Sequence, residues 1–325
     1  MAYFLISVSN RTNLELCIKY ALAGFTNSIN GVWTFSEIDE GDFVSFLYGA
    51  KVFNLYKVER KEAIKNADKI GPWPPITFRM SGLTYYFPFR IFLKPIREFT
   101  ESMIKPEFAY VAENLLLRGG YRKTHFQADL TTLQAVSQIG ETYKRPMSVF
   151  SGDFQKFTPL FVFDKKMSNP PEVFSFHEFI LQSLIRRWLS RRENLQQIFT
   201  DLGLNTLSAE DFEVLGEKAF PEGHVDILIK ESSPKGYCKK LIAEIKMRAL
   251  QKRDVEQLER YMFEVGEECQ KGILIGKKAS KKVVKEANDK GIECLSYSFR
   301  NLDLKGQYSF NELLSNLQIS RIELG

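Results

Sequence analysis

Histidine and cysteine are scarce and scattered. Three histidines (His125, His177, His224) and four cysteines (Cys17, Cys238, Cys269, Cys294) are dispersed over 325 residues with no CxxC or similar close pair. Zinc sites draw on closely spaced Cys and His ligands, so that chemistry is not expected, and any metal should be held by oxygen. The thiols read as reduced and structural. Also missing is an apolar run of the roughly 18 to 20 residues that a membrane span needs. The opening MAYFLISVSN lacks the basic start and long apolar core of a secretion signal, so a cytoplasmic setting and no membrane partner are expected. Charge of one sign is in small excess only: a net +5 permits a polyanionic partner without demanding one. No internal repeat or low-complexity tract is visible.

What is abundant is aromatic and apolar. The chain has 27 Phe and 13 Tyr within a 44% hydrophobic composition, enough for two cored domains at this length. The stretch FDKKMSNPPEVFS (Phe163 to Ser175) combines charge, Asn and a Pro-Pro pair and reads as a linker, giving domains over 1–165 and 172–325. Before it lie short strand-like runs such as DFVSFLY and FPFRIFLKPI, as in an α+β domain. After it, amphipathic stretches alternate with β-branched runs, the pattern of an α/β layer. There the spacing predicts a helix over about Phe176 to Asn194, with Arg186, Arg187, Arg191 and Arg192 off its apolar stripe. Strands are expected at HVDILIK (His224 to Lys230), KLIAEIKM, KGILIGK (Lys271 to Lys277) and IECLSYS, with a further one near FEVLGEKAF. Helices are expected at DVEQLERYMFEV and near Lys281 to Asp289.

The informative stretch is IAEIKM, Ile242 to Met247. Strand side chains alternate faces, so Glu244 and Lys246 share one face of an otherwise apolar element, a costly arrangement unless a metal, a ligand or water meets the pair. Pairing this strand with HVDILIK through the turn-forming KESSPKGYC places Asp226 beside them. Two close carboxylates suit a hard divalent cation, and a lysine beside them can orient water or stabilise charge on a phosphate. The competing reading is a solvated cross-strand pair of little energetic weight. Glu178 has two readings as well: a further carboxylate of the site, or half of a capping box with Ser175 in SFHE. Glu217 is another acidic candidate just before the Asp226 strand, and His224 reads as structural or phosphate-proximal.

Asp226 followed by Glu244, Ile245 and Lys246 resembles the D…ExK signature of PD-(D/E)XK nucleases. Gln257 and Tyr261, four apart on the next helix, resemble the QxxxY element of that superfamily. GHVDILI, LIAEIKMRALQKRDVEQLERY and GILIGKKAS together resemble the C-terminal domain of NucS-type endonucleases and restriction relatives, over Pro171 to Tyr297. The resemblance implies an α-β-β-β-α-β core and Mg²⁺, with Mn²⁺ able to substitute, held by Asp226, Glu244 and Glu178. It further implies a catalytic set completed by Lys246, Gln257 and Tyr261, and hydrolysis of double-stranded DNA to a 3′ hydroxyl and a 5′ phosphate.

The N-terminal YFLISVSNRTNLELCIKYALAGFTNSINGVWTF, then EGDFVSFLYGAKVFNLYKVE and GPWPPITF, resemble YTH and EVE domains, PUA-like small barrels that read modified nucleotides. The likeness covers Tyr3 to Arg97; Thr100 to Thr158 fit it poorly. It implies that Trp33 and Trp73 cage a flipped base while Ser9, Asn10 and Asn13 read its edge, with Pro72 and Pro74 presenting the Trp73 ring outward. An Asn before a helix is equally a cap. Together the two resemblances imply a modification-dependent restriction endonuclease acting on methylated DNA as a homodimer. The alternatives are a sequence-specific restriction or mismatch-repair endonuclease, and a non-catalytic reader of nucleic acid, RNA included.

Overall fold

The computed structural model describes residues 1–49, 51–77, 79–99, 124–220 and 223–322. Within the poorly fitting Thr100 to Thr158 stretch, residues 100–123 lie outside the described residues. The chain divides into two compact units, Met1–Ser175 and Phe176–Gly325. Among the described residues no helix is long and apolar enough to cross a membrane.

The first unit is built on β1 (Tyr3–Ser7), α1 (Arg11–Tyr20), β2 (Leu22–Phe25), α2 (Ile29–Glu37), β3 (Phe43–Tyr48), β4 (Lys51–Ile64), β5 (Phe89–Glu98), β6 (His125–Ala128) and α3 (Leu130–Val136). Its strands pair in the order β2-β5-β4-β3-β1-β6, a path that does not close into a barrel among the described residues. The expected hairpin is present as antiparallel β3 and β4, with Phe46 opposite Phe53. β1 runs parallel to β3. Tyr3, Leu5, Leu47, Val52 and Leu55 pack under Leu133 and Val136 of α3. Each such fully buried aliphatic side chain contributes about 1.5–3 kcal/mol relative to exposure.

Both indoles expected at a base-reading surface are in the core. Trp33 lies within α2, 5% exposed, with its ring edge-on to His125 at 4.7 Å. Trp73 is 4% exposed, so its ring is not presented outward. Pro72 and Pro74 constrain the backbone, but apolar burial decides where the ring goes, and it lies across Gly24 of β2. A Cβ at Gly24 would stand 2.3 Å from Trp73 Cζ3. Gly24→Ala is therefore expected to destabilise the unit by about 1–3 kcal/mol through overpacking, read as a lower urea midpoint at unchanged slope; an unchanged midpoint would contradict the packing. Asn10 caps α1, its Oδ1 accepting the Asn13 N–H at 2.7 Å, which is the alternative role expected of it. Ser9 is exposed.

The second unit runs α4 (Glu178–Leu189), α5 (Arg192–Asp201), β7 (Phe212–Phe220), β8 (Gly223–Glu231), β9 (Lys240–Ile245), α6 (Lys252–Val265), β10 (Cys269–Gly276), α7 (Lys281–Asp289), β11 (Ile292–Phe299), α8 (Phe310–Asn316) and β12 (Leu317–Arg321). The strands lie in that order in one six-stranded sheet. β7, β8 and β9 are antiparallel, β9 to β11 parallel, and β12 antiparallel again. Parallel neighbours need crossovers, and α6 and α7 supply them. Val255, Leu258 and Tyr261 of α6 and Val283, Val284 and Ala287 of α7 pack with Leu228, Ile242 and Leu274 of the sheet. The single helix expected over Phe176 to Asn194 is two helices. It ends where Ser190 Oγ donates to the Arg186 carbonyl at 2.8 Å, competing with the backbone for that acceptor. Arg186, expected off the apolar stripe, is buried.

Candidate active site

The register of β8 against β9 creates the site. Ile227 pairs with Ala243 in antiparallel fashion, so the next pair outward is Asp226 with Glu244, on one face of the sheet. The ladder stops there because the Ile245 N–H donates to Asp226 Oδ2 at 2.7 Å instead. On the opposite edge of β8 the ladder skips the same level: Gly216 pairs with Ile227 and Lys218 with Val225. Glu217 between them has φ 42°, a left-handed conformation uncommon for a residue with a Cβ. The sheet is thus locally distorted around Asp226, and Glu217 stands across from it in the register.

Lys246 follows β9 directly, and its Nζ donates to Glu244 Oε2 at 2.9 Å. The Glu244 side chain is 2% exposed and that of Lys246 15%, so the pair is not the solvated surface contact that was its competing reading. Burial, reinforced by the neighbouring Glu244, raises the Asp226 pKa well above the usual carboxylate range, against the pull of Lys246 and the Ile245 N–H. Burial likewise raises Glu244, with Lys246 opposing. For Lys246 burial works against the charge, but Glu244 and Asp226 outweigh it and its pKa is raised. Glu244 Oε1 is buried without a hydrogen-bond partner.

Glu178 reaches this site, but not through a capping box. His177 is the N-cap of α4, Glu178 is the first helical residue, and its Oε2 accepts the Met247 N–H at 3.0 Å. Among the described residues no group of three His, Cys, Asp or Glu side chains is arranged to hold a metal ion. The three-carboxylate ligand set of Asp226, Glu244 and Glu178 is therefore not assembled: Glu178 holds the chain that follows Lys246. Gln257 and Tyr261 are joined to each other, Nε2 to the phenol at 3.1 Å, and Tyr261 is part of the core beneath α6. His224 is half-buried on β8.

Several contributors were not anticipated. Gln182, 8% exposed, donates from Nε2 to Asp226 Oδ1 at 2.7 Å. It lies four residues after Glu178 and so on the same face of α4, the one sequence signal that could have found it. Beyond Lys246 the chain is pinned from several sides. The Lys246 N–H donates to the Ile275 carbonyl at 2.8 Å. The Tyr297 phenol donates to the Met247 carbonyl at 3.2 Å. Arg248 grips the buried Asp254 through two hydrogen bonds of 2.8 and 2.7 Å, and Asp254 also accepts the Gln251 N–H at 2.8 Å. Such fixation reduces the freedom of the Lys246 ammonium, as a site that must hold a charged group in one place requires.

No curated protein matches the chain. Among solved structures, a repair endonuclease from Pyrococcus abyssi is similar at 22% identity over 31% of this chain and 43% of its own, with a TM-score of 0.23. EndoMS in its apo form is similar at 15% identity over 32% and 44%, TM-score 0.21. SfsA from Pyrococcus furiosus in complex with Ca²⁺ is similar at 14% identity over 62% and 87%, TM-score 0.25. The matched region spans less than half of the first two proteins. Residues 205–308, which carry Asp226, Glu244, Lys246, Gln257 and Tyr261, match the family model of the endonuclease NucS C-terminal domain.

Proposed function

We propose that the chain is a divalent-cation-dependent DNA endonuclease whose phosphodiester hydrolysis takes place at Asp226, Glu244 and Lys246. The observation that carries this reading is Glu244, a buried carboxylate whose Oε1 lacks a hydrogen-bond partner, one register step from Asp226 and in contact with Lys246. The match of the same segment to a nuclease domain supports it. Two buried carboxylates that resist ionisation together fit a hard cation such as Mg²⁺, with Mn²⁺ as substitute, and Asp226 and Glu244 would hold it. A bound Mg²⁺ would supply neutralisation of phosphate charge and acidification of a water. The Lys246 ammonium orients the attacking water or stabilises charge on the phosphoryl oxygens, while Gln182 and the Ile245 N–H keep Asp226 turned toward Glu244. Addition of water across the P–O3′ bond leaves a 3′ hydroxyl and a 5′ phosphate. Cutting both strands calls for two such centres, which a second copy of the chain supplies.

Dependence on a modified base is the finer reading, in which the first unit selects methylated DNA. With Trp33 and Trp73 in the core, an open cage between them is not part of it. The test is one plasmid prepared unmodified, adenine-methylated and cytosine-methylated, incubated with Mg²⁺ and the protein, with Asp226→Ala alongside. Cleavage restricted to a methylated form establishes modification dependence. Cleavage of all forms keeps the nuclease and removes the finer reading; cleavage of none contradicts the nuclease.

A further inference from the structure

Two buried acceptor oxygens without a hydrogen-bond partner belong to side chains that flank Asp226: Glu244 Oε1 and Gln182 Oε1. Asp226 itself is fully engaged, with Oδ1 accepting from Gln182 Nε2 and Oδ2 from the Ile245 N–H. An ionised carboxylate only accepts, so the NH₂ of Gln182 must face it, and that fixes the amide oxygen on the other side of the group. Ile180, Leu181 and Leu184 of α4 are fully buried on either side of Gln182, which restrains where the helix can carry that oxygen. A buried amide oxygen without a donor needs an explanation, and an ion is one of the few available.

Resting on the reading of this site as a divalent-cation centre, we propose that the side-chain carbonyl of Gln182 is the third protein oxygen of that centre. The carboxylate one turn earlier, Glu178, is engaged by the Met247 N–H, and no third acidic or imidazole ligand is grouped with the pair among the described residues. Hard cations of this class accept amide carbonyl oxygens readily. A neutral oxygen completes the coordination without adding a third negative charge to a buried pair whose members already repel one another.

The test is calorimetric titration of the full chain with Mn²⁺ and with Ca²⁺, comparing the unsubstituted protein with Gln182→Leu and Gln182→Glu, and recording cation-free Tm for each. Gln182→Met replaces the leucine variant should leucine lower that Tm. Loss of the oxygen in Gln182→Leu is expected to weaken cation binding about 10–100-fold, while Gln182→Glu, which keeps an oxygen at the position but cannot donate to Asp226, stays within a few-fold of the unsubstituted chain. Unchanged binding in the leucine or methionine variant overturns the proposal while leaving the cation centre intact. Equal loss in the glutamate variant also overturns it, because Gln182 then acts only by donating to Asp226. Absence of cation binding in the unsubstituted chain removes the centre itself, and the ligand assignment with it.

Discussion

Replacing Lys246 with methionine, which preserves side-chain length and removes the charge, is expected to lower DNA cleavage about 10²–10³-fold, the usual loss when one preorganised charge-stabilising donor is deleted. Duplex binding is expected to change far less, because a single phosphate-facing charge is a minor share of an electrostatic interface. The fold survives the change for a reason visible at the site. Glu244 already has a raised pKa from burial, and without its partner Lys246 it takes up a proton rather than remaining as a buried anion. Single-turnover cleavage rates and gel-shift titrations on the same duplex separate the two effects. A variant that cuts at the unsubstituted rate would remove Lys246 from the chemistry, and one that loses binding in proportion to cleavage would make it a DNA contact only.

The second large effect is on stability. Asp254 is buried, grips Arg248 through both carboxylate oxygens and also accepts the Gln251 N–H that opens α6. Asp254→Asn weakens this charge-assisted arrangement and leaves polar groups imperfectly paired. A cost of about 3 kcal/mol is expected, the lower end for breaking a buried pair because the Arg248 side chain is 36% exposed. Burial pushes the Asp254 pKa up, but the hydrogen bonds from Arg248 and the Gln251 N–H outweigh it, and the carboxyl sits below its ordinary value. A depressed folded-state pKa contributes stability that is present above the unfolded value, near ~3.9, and is lost as pH falls through the folded value. The difference in urea stability between the unsubstituted chain and Asp254→Asn is therefore largest at neutral pH and narrows below about pH 4. A difference that is constant from pH 7 to pH 3 would contradict the charged pairing.

What could be read from the sequence was what local periodicity encodes. The period of two in IAEIKM puts Glu244 and Lys246 on one face, and the turn residues between HVDILIK and KLIAEIKM make those strands neighbours, which suffices to bring Asp226 to them. The three-four spacing of Val255, Leu258 and Tyr261 locates α6 over that face for the same reason. The partners of Glu178 and Gln182 lie 69 and 44 residues away along the chain, and no local pattern records such distances. SFHE satisfied the spacing of a capping box, yet the helix began later and tertiary contact claimed the carboxylate. Trp73 failed for a different reason. Flanking prolines report on backbone dihedrals, whereas the position of a large apolar ring follows from the surface it can cover, here the bare backbone of Gly24.

The central claim is that the pair Asp226 and Glu244, with Lys246, hydrolyses DNA, and the most direct test is cleavage of a labelled duplex by the unsubstituted chain and by Glu244→Gln in parallel, with Mg²⁺ present and with it chelated. The account predicts Mg²⁺-dependent cleavage by the unsubstituted chain, leaving 3′ hydroxyl ends, and none by Glu244→Gln at equal duplex binding. Equal cleavage by the two proteins, or cleavage that persists after chelation, would contradict it.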